Sequence, residues 1–450
     1  MNMINVRRLT VMTFLGASML SGISAQVSPL QVDTLKETKI PDQWDLQSCI
    51  DYAKEQNITI RKNRITAAST QIDVKTAKAA LFPSLSFSTG HQVVNRPYQE
   101  TSSRVSGSEI ISSNSKTSYN GNYGLNASWT LYNGNKRLKT IQQEKLNNQM
   151  AELDVATSEN NIQESIAQVY IQILYAAESV KVNENTLQVS IAQRDRGQEL
   201  LNAGSIAKSD FAQLEAQVST DRYQLVTAQA TLQDYKLQLK QLLELDGENE
   251  MNIYLPVLSD ENVLLPLPAK KDVYMSALTL RPEIEASKIN VEASELGIDI
   301  AKAGYLPTIS LSAGIGTNHT SGSDFTFGEQ VKNGWNNSIG VSVSVPIFNN
   351  RQTKSAVQKA KLQRETSLLS LLDEQKTLYK TIEGLWLDAN SAQQRYAAAN
   401  EKLKSTQISY DLISEQFDLG MKNTVELLTE KNNLLQAQQE QLQAKYMAIL

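Results

Sequence analysis

The stretch GLNASWTLYNGN, residues 124–135, alternates with period two. Leu125, Ala127, Trp129 and Leu131 fall on one face, and Asn126, Ser128 and Thr130 on the other. Alternation of this length marks a strand with one apolar side. GVSVSVPIFNNR, residues 340–351, repeats the pattern 216 residues later, with Val341, Val343 and Val345 as its apolar side. Each copy runs directly into a long polar stretch without proline. The fold turns on why one chain makes this strand twice and follows it each time with such a segment.

Two further stretches alternate in the same way. PSLSFSTG, residues 83–90, sets Leu85 and Phe87 between serines, and PTISLSAGIG, residues 307–316, sets Ile309, Leu311, Ala313 and Ile315 between small polar residues. Polar loops rich in Gly and Ser, residues 95–118 and 320–334, separate the members of each pair, which therefore read as antiparallel hairpins. Two readings are open for these strands. One is a soluble sheet with its apolar face on a core. The other is a transmembrane barrel, because the polar face is Ser, Thr, Asn and Gly, suited to a watery lumen, and the spans are about ten residues.

The chain is an internal duplication. AKAALFPSLSFSTG (77–90) aligns without gaps to AKAGYLPTISLSAG (301–314), an offset of 224. Ala53 and Ala277 keep the same offset. The opening strand and the segment LLNAGSIAKSDFAQL (200–214) pair with their twins at 216, the latter with QFDLGMKNTVELLTE (416–430). The first half therefore carries eight extra residues between its two strands. The repeated unit is helix, strand, loop, strand, very long helix, tip and returning helix.

The long segments, residues 135–203 and 351–419, hold 69 residues each and are interrupted only by Gly197 and Gly384. Gln, Ala, Leu, Lys and Glu dominate them, all strong helix formers. At 1.5 Å per residue each extends about 100 Å, which demands a coiled coil or helical barrel. Ile162, Ile166, Val169, Ile173 and Ala176 step as a heptad seam. Charges on the remaining face of each rod read as ordinary solvation. Gly204 and Gly420 stop the two rods as left-handed caps. Ser205 or Ser209 in the first copy, and Asn423 or Thr424 in the second, are placed to cap the returning helix.

The remaining signals are bounds. Residues 1–25 carry Arg7 and Arg8, a short apolar run and small residues up to Ala25, the layout of a secretory signal. No later apolar run approaches the length of a membrane-spanning helix. Cys49 is the lone cysteine and reads as a small buried helix residue. A net charge of −5 gives no basic footprint for nucleic acid. The two histidines, His91 and His319, sit at candidate strand ends without a carboxylate or thiol cluster at ligand spacing. No catalytic or nucleotide-binding motif occurs. No enzyme, cofactor or metal is expected.

Four strands cannot close a barrel, and open edges are not tolerated in lipid. If the strands are in a membrane, several copies must pool them, and three would give twelve strands. At this point AKAALFPSLSFS and AKAGYLPTISLS, the aromatic before Asn at each strand end (Tyr132, Phe348) and LGMKNTVELL at a helix turn resemble the TolC-like outer-membrane efflux family. The resemblance covers about residues 45–450, in both halves. It implies a mainly α fold with a membrane β-barrel: a long coiled-coil helical barrel and four strands per chain, completed as a twelve-stranded barrel by a homotrimer. It also implies an outer-membrane location with a periplasmic helical extension, and docking to a periplasmic adaptor and an inner-membrane transporter.

The resemblance carries site residues too. Leu85, Phe87, Leu125, Trp129, Leu131, Ile309, Leu311, Val341, Val343 and Val345 are expected to face lipid. Trp129 suits a lipid interface, with a soluble core as its rival. Gly204, Ser205, Gly420, Met421 and Asn423 form the periplasmic tip turns that would meet the adaptor. The family gate places an acid six residues after the turn glycine, here Asp210 and Glu426, and a basic residue two after the second glycine, here Lys422. Crowded carboxylates at a narrow mouth would raise one another's pKa and favour cations. The competing explanation is that both acids merely complement a helix N-terminus. Phe417 stands where the family has an aromatic hydroxyl.

The expected domains are a signal peptide (1–25), a linker (26–43), a first efflux repeat (44–250), a second linker (251–270) and a second repeat (271–450). The last helix stops about eleven residues short of its twin and reads as incomplete. The expected function is passive conduction from an adaptor and pump assembly to the exterior. A duct for type I protein secretion and a soluble periplasmic coiled-coil scaffold are the alternatives.

Overall fold

The computed structural model describes residues 41–98, 102–106, 109–113, 116–246, 251–256, 263–321, 323 and 325–449. The expected signal peptide lies outside them. The first unit runs α1 (Leu46–Gln56), α2 (Ile58–Ala79), β1 (Ser84–Asn95), β2 (Ser102–Ser106), β3 (Glu109–Ser113), β4 (Thr117–Asn133), α3 (Lys136–Asn202) and α4 (Lys208–Leu242). The second runs α5 (Lys270–Leu280), α6 (Pro282–Lys302), β5 (Thr308–Thr320), α7 (Phe327–Asn333), β6 (Asn336–Ser344), α8 (Gln352–Asp418) and α9 (Thr424–Ile449). The duplication read from the sequence is thus a duplication of structure. Each rod, α3 and α8, is 67 residues long.

Four strands form one antiparallel sheet in the order β1-β4-β5-β6. The two hairpins are joined by a pairing between repeats, β4 with β5, which the repeat pattern did not announce. β4 is 17 residues long and continues well beyond the apolar band. Its outer part takes in Thr117 and Ser118, which the sequence assigned to the polar loop, and Tyr119 to Tyr123, where Gly121 interrupts the apolar series. The first loop also contains a short β2–β3 ribbon, and the second contains α7. Neither has the sustained period that marks a longer element.

At every level along the rods four helices lie together. Nearer the sheet, α2 packs on α3, and α6 packs on both α3 and α8. Arg64 pairs with Glu159 at 2.9 Å, Gln143 donates to the Ala293 carbonyl at 3.0 Å, and Arg364 pairs with Glu295 at 2.8 Å. Farther away, α4 and α9 replace α2 and α6 as the partners of the rods. The change occurs half-way along α3, where the main core sits: Trp44, Cys49 and Ile50 meet Ile166, Tyr170, Ile173, Leu239, Leu243 and Tyr446. The predicted seam residues Ile166, Ile173 and Ala176 are buried, and Ile162 and Val169 pack partly buried against that core. Trp44 closes it by exchanging backbone hydrogen bonds with Asn252 and Tyr254, both 2.8 Å. Burial pushes the Cys49 thiol up to about 12, so it stays protonated and inert.

The charges of these helices are not all solvated. Asp221 of α4 and Lys431 of α9 form an ion pair whose side chains are 1% and 4% exposed, with the Ser190 hydroxyl of α3 bonded to both. Gln217 adds a bond to Asp221 at 2.9 Å. Three helices from both repeats meet at this point.

Candidate functional site

The sheet is the first functional element, and its register decides which side chains share a face. Phe87, Leu125 and Ile315 lie side by side, as do Trp129, Leu311 and Val341, and then Ile309 and Val343. Leu85 joins them through Ala127, Ala313 and Ile339. Nearly the whole expected apolar set therefore falls on one side of one sheet. Leu131 has no partner in the register, because a β-bulge between Thr130 and Tyr132 puts Tyr132 opposite Ile309. Val345 continues the series just past the end of β6.

Among the described residues no helix packs on this apolar face apart from α7 at its outer end. Phe87 is 67% exposed, Ile339 79% and Val341 65%. A soluble sheet would have covered them. Aromatic side chains mark both ends of the band. Tyr119 and Tyr123 stand with His91 and His319 at one end, and Trp129 and Tyr132 at the other, with the Trp129 indole donating to the Leu81 carbonyl at 2.7 Å. The strands β1 and β6 each keep one unpaired edge.

The entry into each rod is a second duplicated device. Gly134 and Asn135 have φ of 66° and 62°, and Asn350 and Arg351 have 50° and 66°. Two consecutive left-handed residues swing the chain from strand to helix. A Cβ on Gly134 would stand 2.9 Å from Leu306, so the first copy needs glycine for space as well.

The tips are the third. Gly204 (φ 77°) and Gly420 (φ 74°) end the rods with the same pair of bonds. Ser205 N–H donates to Leu200 O at 2.8 Å and Gly204 N–H to Leu201 O at 3.0 Å; Met421 and Gly420 repeat this with Gln416 and Phe417 at 2.8 and 2.9 Å. This is the Schellman closure, which needs the left-handed glycine. Phe417 is buried in the turn.

The returning helices differ. In the second tip Asn423 Oδ1 accepts from Glu426 N–H at 2.9 Å and Glu426 accepts from Asn423 N–H at 3.3 Å, a reciprocal capping box. Lys422 donates to the same carboxylate at 2.7 Å. These bonds, Lys422 first and the Asn423 amide second, hold Glu426 below the usual carboxylate range. Within one chain the shift is therefore opposite to the rise expected from crowding. In the first tip Ala207 occupies the capping position instead of Ser205 or Ser209, and only Asp210 closes back, at 3.4 Å on Ala207 N–H. Asp210 makes no ion pair among the described residues. Ala207→Asn should therefore stabilise the first hairpin by about 1 kcal/mol, and Asn423→Ala should cost the second about as much. Thermal unfolding followed by helical circular dichroism in detergent checks both, and an unchanged midpoint for Ala207→Asn would refute the assignment.

Among the described residues no helix is long and apolar enough to cross a membrane, and no group of three or more His, Cys, Asp or Glu could hold a metal ion. Comparison with known proteins gives a consistent result. Residues 49–244 and 273–449 match the family model described as outer membrane efflux protein. The outer membrane efflux protein BepC of Brucella suis is 25% identical over 64% of this chain and 60% of its own length. The outer membrane protein TolC of Escherichia coli is 24% identical over 62% of this chain and 57% of its own. The alignments thus span less than two thirds of these relatives. Among solved structures, the outer membrane protein VceC of Vibrio cholerae superposes with a TM-score of 0.74 at 16% identity, over 90% of this chain and 93% of that one.

Proposed function

Since the chain belongs to the outer membrane efflux protein family, whose members are channels of the outer membrane rather than enzymes, we propose that it is the exit duct of a tripartite export assembly. Three copies pool their sheets into a twelve-stranded barrel and their helices into a cylinder twelve helices around. The observation that carries this reading is the sheet itself. Its apolar face is bare and both its edges are open, which lipid and two neighbouring copies would satisfy together. The equality of four strands and four helices at every level of one chain lets a single threefold axis serve both parts.

The tips then form the periplasmic mouth. Gly204, Ser205, Gly420, Met421 and Asn423 meet a periplasmic adaptor, and behind it an inner-membrane transporter supplies the energy. The cargo we assign is small solutes, in keeping with the family's description as efflux proteins. Asp210, Glu426 and Lys422 line the mouth. Because Lys422 neutralises Glu426, each chain brings one net negative charge to this ring, not two. Electron microscopy of detergent-extracted protein should show a threefold cylinder well over 100 Å long, as a rod of about 100 Å continued by the sheet requires. A water-soluble monomer would overturn the reading. For the mouth, Asp210→Ala with Glu426→Ala leaves Lys422 alone and should abolish cation preference in planar bilayers. Unchanged selectivity would remove these residues from the gate.

A further inference from the structure

The only two histidines of the chain are 228 residues apart in sequence and belong to different repeats. The register brings them together: His91 of β1 and His319 of β5 are both directly opposite Gly121 of β4. All three lie on the apolar face, two rungs beyond Phe87, Leu125 and Ile315. Gly121 leaves a gap that both rings lean over. A Cβ there would stand 2.6 Å from His319 Nδ1 and 3.2 Å from His91 Nδ1. Both nitrogens therefore converge on one small space, and any side chain in place of glycine would fill it.

The hydrogen bonds prepare these nitrogens as ligands. His91 Nε2 is 3.2 Å from Thr89 Oγ1, which suits an Nε2–H donor and leaves the Nδ1 lone pair free to accept from the Tyr119 hydroxyl at 2.7 Å. Among the described residues His319 Nδ1 is out of solvent and has no hydrogen-bond partner. A buried ring nitrogen left without a partner is costly, and here it points at the same gap. Tyr119 and Phe327 hold the His319 ring edge-on, with centroids 5.2 and 5.0 Å away.

We propose that His91 and His319 form a divalent transition-metal site of the imidazole-preferring class, Zn²⁺, Cu²⁺ or Ni²⁺. The ion takes the two Nδ1 lone pairs. Tyr119 gives up its hydrogen bond to His91 and remains beside the ion, and water completes the shell. The bound metal would staple β1 to β5 across β4, and so the first repeat to the second, at one rim of the apolar band. The site does not depend on what the duct conducts.

The test uses the full chain, purified in detergent with an affinity tag that contains no histidine. Isothermal titration with ZnCl₂ should give one ion per chain and raise the thermal unfolding midpoint. His91→Gln and His319→Gln should each weaken binding by more than about tenfold, since even outer-shell partners are worth that much. The double variant should not bind. Should the variants fail to assemble, carbethoxylation of the wild-type imidazoles, followed at their ultraviolet absorbance, replaces them. Zn²⁺ should slow it strongly. Zn²⁺ uptake that matches the double variant, or a modification rate indifferent to Zn²⁺, would overturn the site and leave the imidazoles as rim aromatics only. The oligomer seen by electron microscopy is a separate readout, so failure here is distinguishable from failure of the channel reading.

Discussion

Lys431→Met is expected to cost about 3–5 kcal/mol, the range for breaking a buried ion pair by removing one partner. Asp221 is 1% exposed, and without the ammonium its charge keeps only the Ser190 hydroxyl and the Gln217 amide. Neither neutralises it, and α4, α3 and α9 leave it no route to water. Burial already pushes the Lys431 ammonium below its ordinary range, with Asp221 opposing that shift. The pair is therefore costly to keep and more costly to halve. Asp221→Leu with Lys431→Met should recover most of the loss and could exceed the wild type by about 1–4 kcal/mol, as well-packed apolar replacements of buried pairs do. Denaturant unfolding of the helical signal in detergent, on wild type, single and double variants, separates the cases. Equal losses in single and double variants would mean that packing, not charge, is what Lys431 supplies.

Leu125→Arg is the second. Leu125 sits between Phe87 and Ile315 on the bare apolar face, mid-way between the Tyr119–Tyr123 and Trp129–Tyr132 ends of the band. A guanidinium at the middle of a bilayer costs about 2–4 kcal/mol on an outer-membrane barrel. Three copies would meet that cost at one level of the wall, so little assembled protein should reach the outer membrane. Asn126→Arg, one residue along and on the opposite face, should assemble and instead alter conductance. Membrane fractionation and the oligomer band on unheated gels read both. Normal assembly of Leu125→Arg, or failure of Asn126→Arg alone, would reverse the two faces of the sheet.

The parts of this protein that were legible in advance are those whose physics is local. Period-two alternation placed all four strands of the sheet, and the proline-free runs placed both rods within a residue or two of Lys136–Asn202 and Gln352–Asp418. Gly204 and Gly420 announced their turns because few residues but glycine accept a left-handed φ cheaply. Asn423 was legible as a cap because its short side chain carries an oxygen that can accept a free N–H of the helix's first turn. Ala207 was not, because an alanine at a capping position leaves no signal. The left-handed pair Asn350–Arg351 was equally silent, since arginine rarely adopts that conformation and gives no hint of it.

The sequence by itself determined the repeated unit, the place of each strand, the lengths of the rods and where each rod turns, because backbone propensity and periodicity act over a few residues. Only the tertiary structure decided the rest. It set β4 beside β5, put a bulge at Leu131, drew Asp221 to Lys431 across 210 positions and brought His91 and His319 over Gly121. Each of these depends on which of many chemically similar partners lies opposite. That choice is made by the register of the whole sheet and the packing of whole helices, and no single stretch of chain contains it.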